Sequence, residues 1–286
     1  MGETLKFAKL QATGNDFILI DAGDVERDWL ELAREMCHRR QGIGADGLLL
    51  LLPSDVADFR MRIFNPDGSE AEACGNGLRC LTKYVTESGS AGKAVEELAI
   101  ETMSGIRKVR PHIVNNRVIR AEVSMGRPHF GAEEIPLSKK IDKTPIIDYP
   151  LRIAGRRLPL TFVSMGNPHA VCFPRRPVEE FPLTTVGPEV EYHPLFPQRT
   201  NFEVATILDR GQIAVRVWER GVGETPSCGS GACAVAIAAQ LHGYVDHTVD
   251  IMLPGGKVTV CWDRGGEVLL TGPVKFVFAG EWIREG

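Results

Sequence analysis

Hydrophobic and polar positions alternate with a period of two through several short stretches of this chain. In "DFRMRIF" (58–64) Phe59, Met61 and Ile63 fall on one face, and "QIAVRVWE" (212–219) repeats the pattern with Ile213, Val215 and Val217. Such alternation marks a strand with one face buried. "KVTVCW" (257–262), "EVLLTG" (267–272) and "VKFVFAG" (274–280) continue it, separated by "LPGGK" and "DRGGE", whose glycines suit hairpin connections. The helical period is rarer. Trp29, Leu32, Ala33 and Met36 make a helical stripe within 28–40 that stops at Gly42. Leu78, Leu81 and Val85 make another, stopping at Gly89. The run "GACAVAIAAQLHG" (231–243) is small or apolar on every side, which predicts a helix enclosed by the rest of the protein.

Strand-rich, helix, strand-rich: the layout occurs twice. "SMGRPH" (124–129) and "SMGNPH" (164–169) echo one another, and the stretch between them, with prolines at 128, 136, 145 and 150, reads as a boundary region rather than a core. These patterns predict an α+β chain of two domains, 1–127 and 128–272, with a C-terminal strand (273–286) returning to complete the first sheet.

Composition narrows the function. The chain has 286 residues, 43% hydrophobic and 24% charged, enough for two buried cores. A net charge of −4 without a basic block gives no electrostatic support to a nucleic-acid or anionic-membrane partner. The N-terminal residues lack the basic and apolar regions of a signal peptide, and the longest apolar runs are too short to span a bilayer, so a cytoplasmic location is expected. The odd count of seven cysteines argues for free thiols in a reducing compartment, and the lack of a CxxC pair argues against a metal site. "GIGADG" (42–47) matches G-x-G-x-x-G, but it follows a helix and opens a strand, the reverse of a dinucleotide fingerprint.

Two cysteines stand apart. "ACGNGLRC" (73–80) and "SCGSGACA" (227–234) carry the same Cys-Gly-x-Gly phrase, each ahead of a helical run, with Ser227 placed as an N-cap. A helix N-terminus offers unpaired N–H groups and partial positive charge, which favour a thiolate and can grip a carboxylate. The glycines let a ligand approach the backbone. Two such thiols on facing halves could invert a stereocentre, one removing the α-proton and the other returning one from the opposite side, with no cofactor. The bland alternative is that a buried cysteine at a helix start is a small hydrophobe. That reading is retained for Cys37, Cys80, Cys172, Cys233 and Cys261.

At these residues the chain resembles the diaminopimelate epimerase family. The resemblance rests on "GNDF" (14–17), "GIGADG", "RIFNPDGSEAEACGNGLRC" (62–80), "SMGNPH", "RTNF" (199–202), "ERGVGET" (219–225) and "CGSGACA" (228–234). It implies two similar domains, each a mixed sheet wrapped around a central helix, and a cofactor-free homodimer that interconverts LL- and meso-2,6-diaminopimelate on the route to lysine. It implies Cys74 and Cys228 as the acid–base pair, with the backbone at Gly75, Asn76, Gly229 and Ser230 holding the reacting carboxylate. Glu219 would sit near the reacting ammonium and His169 would tune the site. Asn15, Asn65, Asn167, Asn201 and Arg220 would hold the substrate. Arg offers a fork to a carboxylate, and Asn offers both donor and acceptor to a zwitterion. Some family members carry Gln where this chain has Gly47, so that side-chain contact is lost here. Two rivals stand beside this reading: a related cofactor-free proline or hydroxyproline racemase, and a thiol redox sensor or non-catalytic binding protein.

Overall fold

The computed structural model describes residues 3–23, 27–71, 74–92, 95–153 and 155–284. Glu72 and Ala73 of the motif before Cys74, and Glu285 and Gly286 of the C-terminal strand, lie outside the described residues. The chain divides into two compact units, Met1–Ser124 with Thr271–Gly286, and Met125–Leu270.

In the first unit β1 (Glu3–Ala12) and β2 (Asn15–Asp21) form an antiparallel pair. Helix α1 (Trp29–Cys37) follows, and β3 (Gly47–Leu52) runs parallel to β2. Next, β4 (Phe59–Phe64) turns back along β3, and the two-residue β5 (Glu70–Ala71) folds onto β4. The long helix α2 (Gly75–Ser88) then leads to β6 (Leu98–Thr102), parallel to β4, and to the antiparallel strands β7 (Gly105–Val114) and β8 (Arg117–Ser124). Sequence chemistry sets the ends. Asp28 caps α1 by accepting from the Glu31 amide at 3.0 Å, and α2 stops at Gly89, whose φ of 83° is the left-handed value glycine adopts freely.

The second unit repeats the plan. After β9 (Tyr149–Ile153) come the antiparallel β10 (Arg156–Ser164) and β11 (Pro168–Cys172). Helix α3 (Leu183–Glu191) precedes β12 (Asn201–Asp209), which is parallel to β11. Then follow β13 (Gln212–Glu219), the short β14 (Gly223–Thr225) folded onto it, and helix α4 (Gly229–Leu241). β15 (Thr248–Leu253) lies parallel to β13, and β16 (Gly256–Cys261) pairs back along β15. The chain leaves this unit within β17 (Leu269–Pro273), and β18 (Lys275–Arg284) pairs antiparallel with β1.

The duplication extends to single residues. Leu48 pairs with Phe64 in the first unit, and Phe202 with Trp218 in the second. The bidentate ion pair Arg62–Glu70 (2.7 and 2.9 Å) returns as Arg216–Glu224 (2.8 and 3.0 Å). From Gly47/Asn201 through Cys74/Cys228 the two units are related by a constant shift of 154 positions (74 to 228).

The alternating strands bury the faces their patterns predict: Met61 and Ile63 in β4, and Ile213, Val215 and Val217 in β13. Helix α4 is buried from Gly231 to Gln240 at the centre of its unit's apolar cluster, which suits its small and apolar sequence. Helix α1 ends at Cys37, short of Gly42, which folds back so that its amide donates to the His38 carbonyl at 2.8 Å.

Two sequence expectations are corrected. The proline-rich stretch before 164 is core, not boundary. Ile135, Ile146, Leu151, Ile153, Leu158, Leu160 and Phe162 are buried in one cluster with α3. Its prolines hid the strands: Pro150 and Pro159 face each other across the β9–β10 pair, where neither can donate. Helix α3 escaped notice because Gly187 and Pro188 lie inside it; Gly187 is needed because a Cβ would strike the Trp218 ring. The echoed "SMG-x-PH" phrases also do not mark matching places in two units. They meet each other, with His129 and Ser164 exchanging backbone hydrogen bonds at 2.9 Å.

Candidate active site

Each thiol of interest is the N-cap of a helix. Cys74 caps α2 and Cys228 caps α4, both with extended backbone (φ −144° and −124°) and neither with a side-chain capping bond. Ser227 lies one residue outside and is not the cap, so its expected role is corrected. A helix start without a side-chain cap leaves its first amides suited to an anion, and in α4 the Gly231 amide already bonds to Cys228.

Around Cys74 the first unit gathers amides. The Cys74 sulfur lies 3.9 Å from Asn15 Oδ1, which also accepts from Asn76 Nδ2 at 3.1 Å. Asn15 Nδ2 donates to Asp46 at 2.8 Å. Asp46 is in turn gripped by Arg39 (2.7 Å), which also reaches Asp16 (2.7 Å), while Lys9 pairs with Asp16 at 2.6 Å. Burial works against the charge of Asp16, but Arg39 and Lys9 prevail and hold its carboxyl at about 2. Behind Asn76 lies Arg79, fully buried, donating to Asn76 Oδ1, to Thr13 Oγ1 (3.1 Å) and to the Pro273 carbonyl (2.9 Å). None of those partners is a carboxylate. Burial pulls the Arg79 pKa down to about 10, so it stays charged at neutral pH, and its charge attracts a thiolate at Cys74.

Around Cys228 the second unit gathers charge. Ser230 Oγ lies 3.5 Å from the Cys228 sulfur and accepts from Asn167 Nδ2 at 3.5 Å. Asn167 Oδ1 is 3.0 Å from His169 Nε2, and His169 Nδ1 is 2.7 Å from Glu203 Oε1; His169 and Glu203 are fully buried. Glu219 accepts from Thr225 Oγ1 and is hydrogen-bonded to the Cys228 thiol. Burial raises the Glu219 carboxyl; the bonds from Thr225 and Cys228 pull the other way, and Glu203 repels its charge. Burial, then the charge of Glu219, pushes the Cys228 thiol well above its usual range, against the Ser230 hydroxyl and the Gly231 amide. The expectation that a helix N-terminus would by itself bring this thiol toward neutrality is therefore corrected. Desolvation and the charges of Glu219 and Glu203 act against the thiolate at this helix start.

The remaining candidates are placed unevenly. Asn201, nearly buried, donates to the Pro168 carbonyl and accepts from the Arg220 amide, both at 2.9 Å, and so knits three segments of the second unit. Arg220 is exposed, one guanidinium nitrogen reaching the Gln198 carbonyl at 3.2 Å. Asn65 sits in a turn, bonded to Ser69 through Nδ2 (2.9 Å) and through its amide (2.8 Å). Gly75 begins α2 and Gly229 begins α4. At Gly47 a Cβ would lie 3.0 Å from the Phe64 carbonyl and 3.4 Å from the Phe17 ring. Sequence reasoning missed Arg79, Asp16, Asp46, Thr225 and Glu203, all within or beside the quoted motifs.

All seven cysteines are free thiols, and burial pushes Cys37 and Cys172 up to about 12. Cys80 and Cys233 are raised by burial as well. Among the described residues no group of three His, Cys, Asp or Glu side chains is set to hold a metal ion, and no helix is long and apolar enough to cross a membrane.

The family model described as diaminopimelate epimerase matches residues 7–131 and 161–277. The diaminopimelate epimerase of Moorella thermoacetica is 48% identical over 281 residues, covering 97% of this chain and 99% of that protein. The one from Methanococcus maripaludis is 44% identical over 279 residues, covering 97% and 99%. Among solved structures, a hydroxyproline epimerase from Agrobacterium vitis superposes with a TM-score of 0.73 at 16% identity, over 99% of this chain and 94% of that one. A PhzF-family phenazine biosynthesis protein from Bacillus anthracis does so with a TM-score of 0.68 at 20% identity, over 98% and 99%. These last two share the fold. The α+β architecture, the paired Cys-Gly-x-Gly helix starts and the near full-length relatives lead to one assignment: this chain belongs to the diaminopimelate epimerase family, a family of isomerases.

Proposed function

We propose that this enzyme epimerises LL-2,6-diaminopimelate to the meso form without a cofactor, serving lysine biosynthesis. The observation that carries the reading is the duplicated thiol. Each unit presents a cysteine as the cap of a helix, without a side-chain capping bond, in a chain whose relatives bear that activity in their names. One thiolate takes the α-proton, and the thiol of the other unit returns a proton to the opposite face of the same carbon. The amides at Gly75, Asn76, Gly229 and Ser230 hold the carboxylate, whose negative charge grows as the proton leaves. Glu219 faces the ammonium, and His169 holds its neighbours in place. Asn15, Asn65, Asn167, Asn201 and Arg220 bind the two zwitterionic ends, and an ordinary amino acid would leave part of that set unpaired. We also infer a cytoplasmic homodimer.

The test is a pair of assays with purified enzyme and reductant, following racemisation of LL-diaminopimelate and of L-proline. The reading predicts turnover of the first and none of the second. Activity on proline alone overturns it.

A further inference from the structure

The proposed chemistry leaves the most deeply buried carboxylate of the second unit without a task. Glu203 is fully enclosed on β12, with Oε1 2.7 Å from His169 Nδ1 and Oε2 unpartnered among the described residues. A buried, half-satisfied carboxylate is costly unless something else requires it. The first unit shows that the scaffold does not. At the matching position stands Leu49, and at the place of His169 on β2 stands Phe17, both buried. The match is geometric as well. A Cβ at Gly77 would lie 3.0 Å from Leu49 and 3.6 Å from the Cys74 Cβ. A Cβ at Gly231 would lie 2.9 Å from Glu203 Oε1 and 3.4 Å from the Cys228 sulfur. Where one unit packs an aliphatic chain behind its thiol, the other packs a carboxylate.

From Glu203 a continuous line of polar contacts runs to the sulfur. Glu203 Oε1 meets His169 Nδ1 (2.7 Å), His169 Nε2 meets Asn167 Oδ1 (3.0 Å), Asn167 Nδ2 meets Ser230 Oγ (3.5 Å), and Ser230 Oγ meets Cys228 Sγ (3.5 Å). With Nδ1 held by Glu203 and Nε2 by Asn167 Oδ1, the ring is fixed in rotation, and so is the amide of Asn167 beyond it. We propose that Glu203 is a positioning residue, which anchors His169 and through Asn167 and Ser230 sets the orientation of the Cys228 thiol. This rests on reading Cys228 as an acid–base group. The groups of this unit that face Cys228 are Glu219 from β13, Glu203 from β12, the His169 and Asn167 pair at β11, and Ser230 on α4. Glu219 and Glu203 both act to keep its proton on.

The test compares full-length wild type, Glu203→Gln and the double variant His169→Phe/Glu203→Leu, which rebuilds the Phe17/Leu49 packing of the other unit. Two quantities are read: steady-state kcat and KM, and the pH midpoint of Cys228 alkylation, followed by peptide mass mapping without substrate. Glu203→Gln is expected to lower kcat by at least about tenfold, with KM changed less than about threefold. Its alkylation midpoint is expected to move down by on the order of one pH unit, because a negative charge that disfavours the thiolate is gone. The double variant is expected to fold, to match or exceed the wild type in unfolding midpoint, and to lose kcat by more than the single variant. If Glu203→Gln does not accumulate folded, the double variant decides. Wild-type kcat in either folded variant, or loss of kcat with an unmoved alkylation midpoint, makes Glu203 a packing residue and overturns the proposal. Alkylation is read without substrate. Wild-type enzyme inert toward diaminopimelate would therefore refute the proposed function and leave this readout standing.

Discussion

The two helix starts at Cys74 and Cys228 share a backbone and differ in almost everything placed behind it. Cys74 is half-buried, faced by the neutral amides of Asn15 and Asn76, and backed by the buried guanidinium of Arg79. Cys228 is buried, bonded to Glu219, and backed by Glu203 and His169. Five residues into each helix, Arg79 in one unit is matched by Cys233 in the other. Asn65 is matched by Glu219, and Leu49 by Glu203. A duplicated scaffold therefore supplies two thiols at like positions and gives them opposite surroundings, one beside a cation and one beside carboxylates. A two-base inversion needs one base and one acid at the same moment, and unlike surroundings answer that need where two identical sites would not.

The comparison breaks most completely if either sulfur is removed. Cys74→Ala and Cys228→Ala are each expected to cut epimerisation by on the order of 10³-fold or more, as the loss of an acid or base does. Near-normal turnover in either variant would show that the other thiol acts alone. Next is Arg79→Met, which strands the oxygens of Asn76, Thr13 and Pro273. A loss of stability of about 2–3 kcal/mol is expected in urea unfolding. Cys74 alkylation at neutral pH should slow several-fold as its attracting cation goes.

The two sulfurs of the wild type should also react unequally. At neutral pH Cys74 is expected to be alkylated at least about tenfold faster than Cys228, whose thiol is buried and pushed up. Equal rates would erase the difference between the two surroundings. The smallest effect is on stability. The Glu219 carboxyl is raised above 4.5 in the folded protein, so the folded state binds its proton more tightly than the unfolded state does. Its contribution is fully favourable below 4.5 and is lost as pH rises through the folded value. Glu219→Gln should therefore raise stability slightly at pH 7, a gain that fades on acidification, while turnover falls. A thermal melt at pH 7 that drops instead would mean the charge is stabilising.

The elements most legible in the sequence are those whose apolar residues recur with a clean period. β4, β13, α2 and α4 emerge from Met61/Ile63, Ile213/Val215/Val217, Leu78/Leu81/Val85 and the small-residue run after Cys228. The strands at 149–164 are hidden because Pro150 and Pro159 interrupt the alternation, and α3 because Gly187 and Pro188 imitate a turn. The two thiols are legible as a repeated phrase; what tells them apart is not. Glu203 follows Phe202 in "RTNFEVA", and nothing local separates a buried strand glutamate from an exposed one. Its burial comes from the parallel β11–β12 register, which sets Val171 opposite it and His169 two residues away. Arg79 is equally ambiguous, adjoining a helical apolar stripe where charged residues are ordinarily solvated. One signal was available. Shifting the chain on itself by 154 positions (74 to 228) sets Leu49 against Glu203 and Arg79 against Cys233, and so exposes where the copies diverge in charge.

The central claim is that a solvent-derived proton replaces the substrate's own at the inverted carbon, through two sulfurs of opposite protonation. Incubation of LL-diaminopimelate with wild-type enzyme in heavy water, with mass and NMR analysis of the meso product, tests it directly. The account predicts one deuterium, located at the inverted α-carbon, in product formed early in the reaction. Meso product that retains the substrate's original hydrogen there would contradict it.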